Sequence, residues 1–230
     1  MKRVLILTLA AVLAFSLVAM GAEGPAYEDG SYVWMIENEH GHVVVEVVIE
    51  FGAIADVNIL NPVKTPEYSY EPGRMAFLAY PQMVLEQQSV ENIEAVDVLA
   101  GATHSVEGYN EAVQKCLDIA SGKYDGDVYY GLAKDWGHGH NLMEVHVKGG
   151  VVTDVSFVKP AISAEEGSRL QPDKTEGYPY EPGVEAYENY PEIAVEKQDP
   201  AKIDVVSGAT GSYTKYNAAF AHALEQANIK

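Results

Sequence analysis

Asp204-Val205-Val206-Ser207-Gly208-Ala209-Thr210-Gly211-Ser212 is written a second time in the middle of the chain, as Asp97-Val98-Leu99-Ala100-Gly101-Ala102-Thr103-His104-Ser105. An apolar stripe with helical spacing follows each stretch. After the later one it is Tyr213, Tyr216, Phe220 and Leu224; after the earlier one it is Val106, Tyr109, Val113 and Leu117. Both stretches therefore read as a Gly-Ala-Thr turn that opens an amphipathic helix, beginning about at Ser105 and Ser212.

The repetition extends upstream. Tyr68-Ser69-Tyr70-Glu71-Pro72-Gly73 matches Tyr178-Pro179-Tyr180-Glu181-Pro182-Gly183, and Tyr80-Pro81 matches Tyr190-Pro191. His40-Gly41-His42 matches His138-Gly139-His140, and Asp29-Gly30 matches Asp125-Gly126. The spacing between counterparts drifts along the chain, as short loop insertions would make it. Two domains follow, 26–120 and 121–230, each of ordinary small-domain size and too long for a solenoid unit.

Each domain reads as a Tyr-rich strand and then a hairpin. The hairpins are Val43 to Ile49 with Ile54 to Leu60, and Leu142 to Val147 with Val151 to Val158, turning at Gly52 and at Gly149-Gly150. The alternation in Met143-Glu144-Val145-His146-Val147 predicts one wet face. A Pro- and Tyr-rich connection follows, with a short helix before the Tyr-Pro step. A short strand, Ile203 to Val206 in the second domain, then leads into the turn. The fold class is α+β: two tandem small domains, each a mainly antiparallel sheet with a C-terminal helix.

The Gly-Ala-Thr turn carries the chemistry. First-turn N–H groups of a helix lack internal acceptors and form the positive end of its dipole, so a phosphate is stabilised there. Gly and Ala let a ligand approach the backbone. The plain alternative is that Thr or Ser merely caps the helix.

Asp204-Val205-Val206-Ser207-Gly208-Ala209-Thr210-Gly211-Ser212 resembles the flavin-attachment motif of the FMN-binding domain family. That family includes the FMN-carrying subunits of sodium-pumping NADH:quinone reductase and of Rnf-type complexes. The resemblance covers both domains and implies FMN joined by a flavin transferase, through a phosphoester, to Thr210 and to Thr103. Asp204, Ser207, Gly208 and Ala209 surround the first; Asp97, Gly101 and Ala102 surround the second. The first domain departs from the motif at Ala100, where the family has Ser or Thr. Asp97 and Asp204 serve recognition by the transferase or hold the turn. The function implied is covalent electron transfer with other redox proteins or membrane redox complexes, the flavin doing the redox work. Nothing in the sequence marks a substrate site with its own base and oxyanion donors. The alternatives are a binding module without flavin and, against the chain's length, a reductase with its own substrate.

The N-terminus reads as a secretory signal over residues 1–22: Lys2 and Arg3, an uncharged stretch from Val4 to Met20, then Gly21 and Ala22. Cleaved, it predicts a periplasmic or extracellular protein; retained, the stretch would anchor the chain to a membrane. The net charge of −19 repels nucleic acid and anionic headgroups. Cys116, the sole cysteine, excludes an intramolecular disulfide and cysteine-based metal sites, and its place on the helix stripe predicts a buried thiol. Tyr68, Tyr70, Tyr178 and Tyr180 are available to pack on a flavin ring or simply in the core. The His-Gly-His pairs, whose i and i+2 side chains share a face in extended chain, read as surface turns, so no metal is assigned.

Overall fold

The computed structural model describes residues 27–38, 41–64, 66, 68–93, 101–164, 166–175 and 177–229. His40, Asp97 and Ala100 lie outside the described residues, as does the signal-like segment. Among the described residues no helix is long and apolar enough to cross a membrane.

One order of elements occurs twice. The first half runs β1 (Gly30–Asn38), β2 (Gly41–Glu50), β3 (Ala53–Asn61), α1 (Glu71–Gln87) and α2 (Thr103–Ala120). The second runs β4 (Val128–Ala133), β5 (Asn141–Lys148), β6 (Val151–Phe157), α3 (Glu181–Lys197) and α4 (Thr210–Gln226). Each half has a three-stranded antiparallel sheet in sequential order. The α+β class expected from the sequence is the one observed. The hairpins turn through paired left-handed residues, Phe51 and Gly52 in one and Gly149 and Gly150 in the other. Two positive φ angles give the turn whose twist matches that of its strands.

The helices after the Gly-Ala-Thr turns cover the sheets. Val106, Tyr109, Val113 and Leu117 are buried on α2, and Tyr213, Tyr216, Phe220 and Leu224 on α4, as their spacing predicts. Cys116 is fully buried, and burial pushes its thiol well above the ordinary range.

Three expectations need correction. The helix near the Tyr-Pro step is not short: α1 and α3 each span 17 residues and run through Pro81 and Pro191. The cost of a helix-interior proline is outweighed by burial of Ala76, Tyr80 and Val84 on one face, and of Ala186, Tyr190 and Ala194 on the other. Tyr80 and Tyr190 then donate to Asn110 and Asn217, each at 2.8 Å, tying the two helices of each half together.

Residues 203–206 form no strand; a 3-10 turn at Pro200–Lys202 precedes them. The sheet edge is already occupied there. Gln198, just past α3, accepts from the N–H of Val152 and donates to its C=O, each at 2.8 Å. Gln88 does the same for Ile54 after α1. The third correction is that α2 and α4 start at the threonines themselves, with Ala102 and Ala209 as N-caps.

The two sheets meet along β1 and β4 without pairing directly. Side chains of α4 fill the seam. His222 Nδ1 accepts from Leu132 N–H at 3.1 Å, so its Nε2 donates to the Ser31 carbonyl at 2.8 Å. Gln226 accepts from Val33 N–H and donates to the Tyr130 carbonyl. Both edges are thereby satisfied, as buried backbone groups require.

Candidate functional site

Each Gly-Ala-Thr turn is held by the Tyr-x-Tyr-Glu-Pro-Gly segment of its own half. Tyr70 donates its hydroxyl to the Gly101 carbonyl, and Tyr180 to that of Gly208. Gly101 and Gly208 have φ of +82° and +89°, a conformation that favours glycine. Pro72 and Pro182, in the first turns of α1 and α3, lie against these glycines. The repeated hexapeptide is therefore the mould of the turn.

Thr103 and Thr210 are the first residues of 18- and 17-residue helices, and both are exposed. The caps before them are alanines that supply no side-chain hydrogen bond. The reading of these threonines as caps is thus corrected: a residue inside the first turn cannot take the N-cap role. Ala102 and Ala209 are buried beneath the turn. Asp204, Ser207 and Gly208 are exposed, as is Gly101.

A lysine in each half, not singled out from the sequence, completes the arrangement. Lys64 is 7% exposed and Lys174 4%. Lys64 donates to Ser105 Oγ at 2.8 Å; Lys174 donates to Ser212 Oγ at 3.1 Å and to the Tyr216 hydroxyl at 2.9 Å. Lys64 lies over the rings of Tyr68 and Tyr109, and Lys174 over those of Tyr178 and Tyr216. A Cβ on Gly73 would stand 3.1 Å from Lys64 Nζ, which explains the glycine of the hexapeptide. Burial lowers both ammonium groups to about 8, with Lys215 adding repulsion at Lys174. The signal was present in the sequence: Lys64-Thr65 and Lys174-Thr175 repeat in step with the tyrosines.

A buried ammonium beside a helix N-terminus puts like charge next to like. Among the described residues neither lysine has an ion-pair partner. An anion is what this environment lacks. Beside Lys64 a cavity of about 670 Å³ opens, with Val43, Pro62, Tyr68 and Tyr109 on its walls and Ile162 opposite. Among the described residues its one acid is Glu166, which is engaged by the N–H and hydroxyl of Ser163.

Residues 39–118 match the model of the FMN-binding domain. This segment belongs to the FMN-binding domain family. It takes in the β2–β3 hairpin, Lys64, the hexapeptide and the Gly101-Ala102-Thr103 turn. No curated protein and no solved structure matches the chain. A domain of this family points to a flavin-binding protein, and the residues present suit FMN. Its phosphate answers the buried lysine and helix N-terminus. Its flat ring suits a cavity walled by aromatic and aliphatic side chains, whose volume is typical of cofactor sites.

The histidine pairs do not behave as surface turns. His138 is exposed and paired with Asp135 at 3.2 Å, whereas His140 is 1% exposed and accepts from Asp135 N–H. His42 is also buried. The two imidazoles of the second pair thus part company, one outward and one inward. Among the described residues no cluster of three His, Cys, Asp or Glu could hold a metal ion.

Proposed function

We propose that the protein is an exported electron carrier with FMN covalently bound through phosphoesters at Thr210 and Thr103. The observation that carries this reading is the position of the two threonines. Each threonine is exposed in the first turn of a helix, free of capping duty, near a buried lysine that among the described residues has no counter-ion. A transferase can reach such a hydroxyl, and the resulting phosphate lands where positive charge is concentrated.

Attachment is a phosphoryl exchange. The threonine hydroxyl displaces the distal nucleotide of a flavin dinucleotide: one Oγ–P bond forms, one P–O–P bond breaks, and the hydroxyl proton leaves with the departing nucleotide. The side-chain charge of Lys64 or Lys174 then faces the phosphodiester. When bound, FMN supplies the redox chemistry; the protein holds and orients it. Export is proposed from the signal-like residues 1–22, and a covalent link keeps the cofactor where no pool of free flavin replaces it. The partners are a flavin transferase and other redox proteins or membrane redox complexes.

Co-expression with a flavin transferase tests this. Yellow fluorescence is expected on the denatured protein band, with an intact mass raised by two FMN units. Thr210→Ala and Thr103→Ala each remove one. A dark band with unmodified mass sinks the proposal, as does fluorescence surviving in the double variant.

A further inference from the structure

Resting on the attachment proposed above, we infer that the two flavins are unequal: the ring carried at Thr103 lies in the cavity beside α2, while the ring carried at Thr210 stays at the surface. The residue that decides this is Gly108, whose counterpart in the second half is Lys215.

Gly108 is a buried residue of α2 between Ser105 and Tyr109, two residues of the cavity wall. A Cβ built there would meet Val43 at 3.5 Å and Asn38 at 3.7 Å, and both residues line the cavity. In the second half the same position is a lysine that forms an ion pair with Asp135, whose side chain is 13% exposed. That lysine holds Asp135 well below the usual carboxylate range. The position that carries no side chain beside the first cavity therefore carries a paired lysine in the second half.

Two further observations point to a ligand at the first site. Tyr109 is on the cavity wall, and among the described residues its buried hydroxyl has no hydrogen-bond partner, whereas that of its counterpart Tyr216 accepts from Lys174. A buried hydroxyl left without a partner is costly, and a flavin ring with its carbonyl and ring nitrogens supplies one. The cavity is also roofed from the second half: Ala161, Ile162 and Glu166 face Lys64 and His104 across it. His104 and Ser105, the next two residues after Thr103, are on its wall, so the ribityl arm of an ester at Thr103 has only a short way to turn. The sheltered flavin would exchange electrons through the exposed one, making Thr210 the site that meets partners.

Single-flavin proteins separate the sites. Thr210→Ala leaves the flavin at Thr103, and Thr103→Ala leaves the one at Thr210. Intact mass counts flavin in each, and acrylamide, an uncharged quencher, reads the exposure of the ring through its fluorescence lifetime. Quenching at Thr103 is expected to be at least threefold weaker than at Thr210. Adding Gly108→Lys should abolish that protection while the mass still shows one flavin. Gly108→Ala, whose methyl group fits, should keep it. Both substitutions raise helix propensity, and because Gly108 is buried against Val43, circular dichroism and the Gly108→Ala comparison separate a blocked cavity from a lost fold. Equal quenching of the two flavins, or protection that survives Gly108→Lys, overturns the inference and leaves attachment standing. A mass without flavin in both single variants overturns attachment, and this inference with it.

Discussion

β2 and β5 hold the same central place in their sheets, yet from Gly41 to Val47 every residue of β2 is buried, while β5 alternates from Met143 onward between buried and half-buried positions. The sequences alone do not explain this, since both strands carry a glutamate at the same step, Glu46 and Glu144. The difference lies in what covers them. Lys134, from the end of β4, reaches Glu46 at 2.6 Å, and Ser31 and Asn58 supply two more hydrogen bonds. Glu144 is met by Tyr130 and His146 at a half-buried surface. The glutamate on the outer face of the first sheet is thus covered by the second half, whereas its counterpart on the second sheet is not.

The closeness of α4 to its sheet is the sharpest contrast. A Cβ on Gly131 would lie 1.9 Å from the Ala219 carbonyl, whereas the first sheet carries Trp34 at the matching register position of β1. Replacing Gly131→Val should cost at least about 3 kcal/mol in denaturant unfolding, because backbone cannot yield as a flexible side chain does. A loss below 1 kcal/mol would show that α4 is free to shift. Lys134→Met comes next. It strands Glu46 without a cation, and since Lys134 is partly exposed we expect about 2 kcal/mol, less than for a fully buried pair. Adding Glu46→Gln should restore much of it; no restoration would mean that lost packing, not the stranded charge, is responsible.

The two buried lysines offer a pH test of the sites themselves. Their folded-state values lie near 8, below the ordinary 10.5, so between those limits the unfolded chain binds more protons. Stability of the flavin-free protein should therefore rise with pH above about 8, and below it the full cost of two buried charges remains. Lys64→Met should gain about 1–2 kcal/mol at pH 7 and flatten part of the rise up to pH 9.5. With FMN attached the phosphate favours the charged lysine, and Lys64→Met should then destabilise. The same sign in both forms would separate the lysine from the phosphate.

Much of this was legible in the repeat. The hairpins, the helix stripes, the buried Cys116 and the special turn all follow from local pattern and from comparing halves. Lys64 and Lys174 repeat as plainly, but a lysine reads as surface until its surroundings are known. What could not be read are contacts set by docking. His222 and Gln226 join two strand edges from different halves, and nothing local in α4 says so. The helices running through Pro81 and Pro191 were hidden because local propensity argues against them, and tertiary burial of Tyr80 and Tyr190 prevails. Ile203 to Val206 has the composition of a strand, but Gln198 had already taken the edge.

The smallest effect expected is at Cys116, whose counterpart on α4 is Ala223, both fully buried. Its Sγ lies 3.4 Å from the Tyr32 carbonyl, facing β1. Cys116→Ala removes one buried atom and should cost only about 1 kcal/mol, the lower range for a truncation that leaves a small void. The native thiol should react with a maleimide far more slowly than a free cysteine, because it is inaccessible and burial disfavours its thiolate. Labelling therefore reports opening of the first half alone. If that half depends on its cover, Lys134→Met should accelerate labelling under native conditions by roughly the factor that its stability loss implies, about thirtyfold for 2 kcal/mol. Unchanged labelling, with global stability reduced, would place the loss in the second half and would mean that the first half holds its core without the seal.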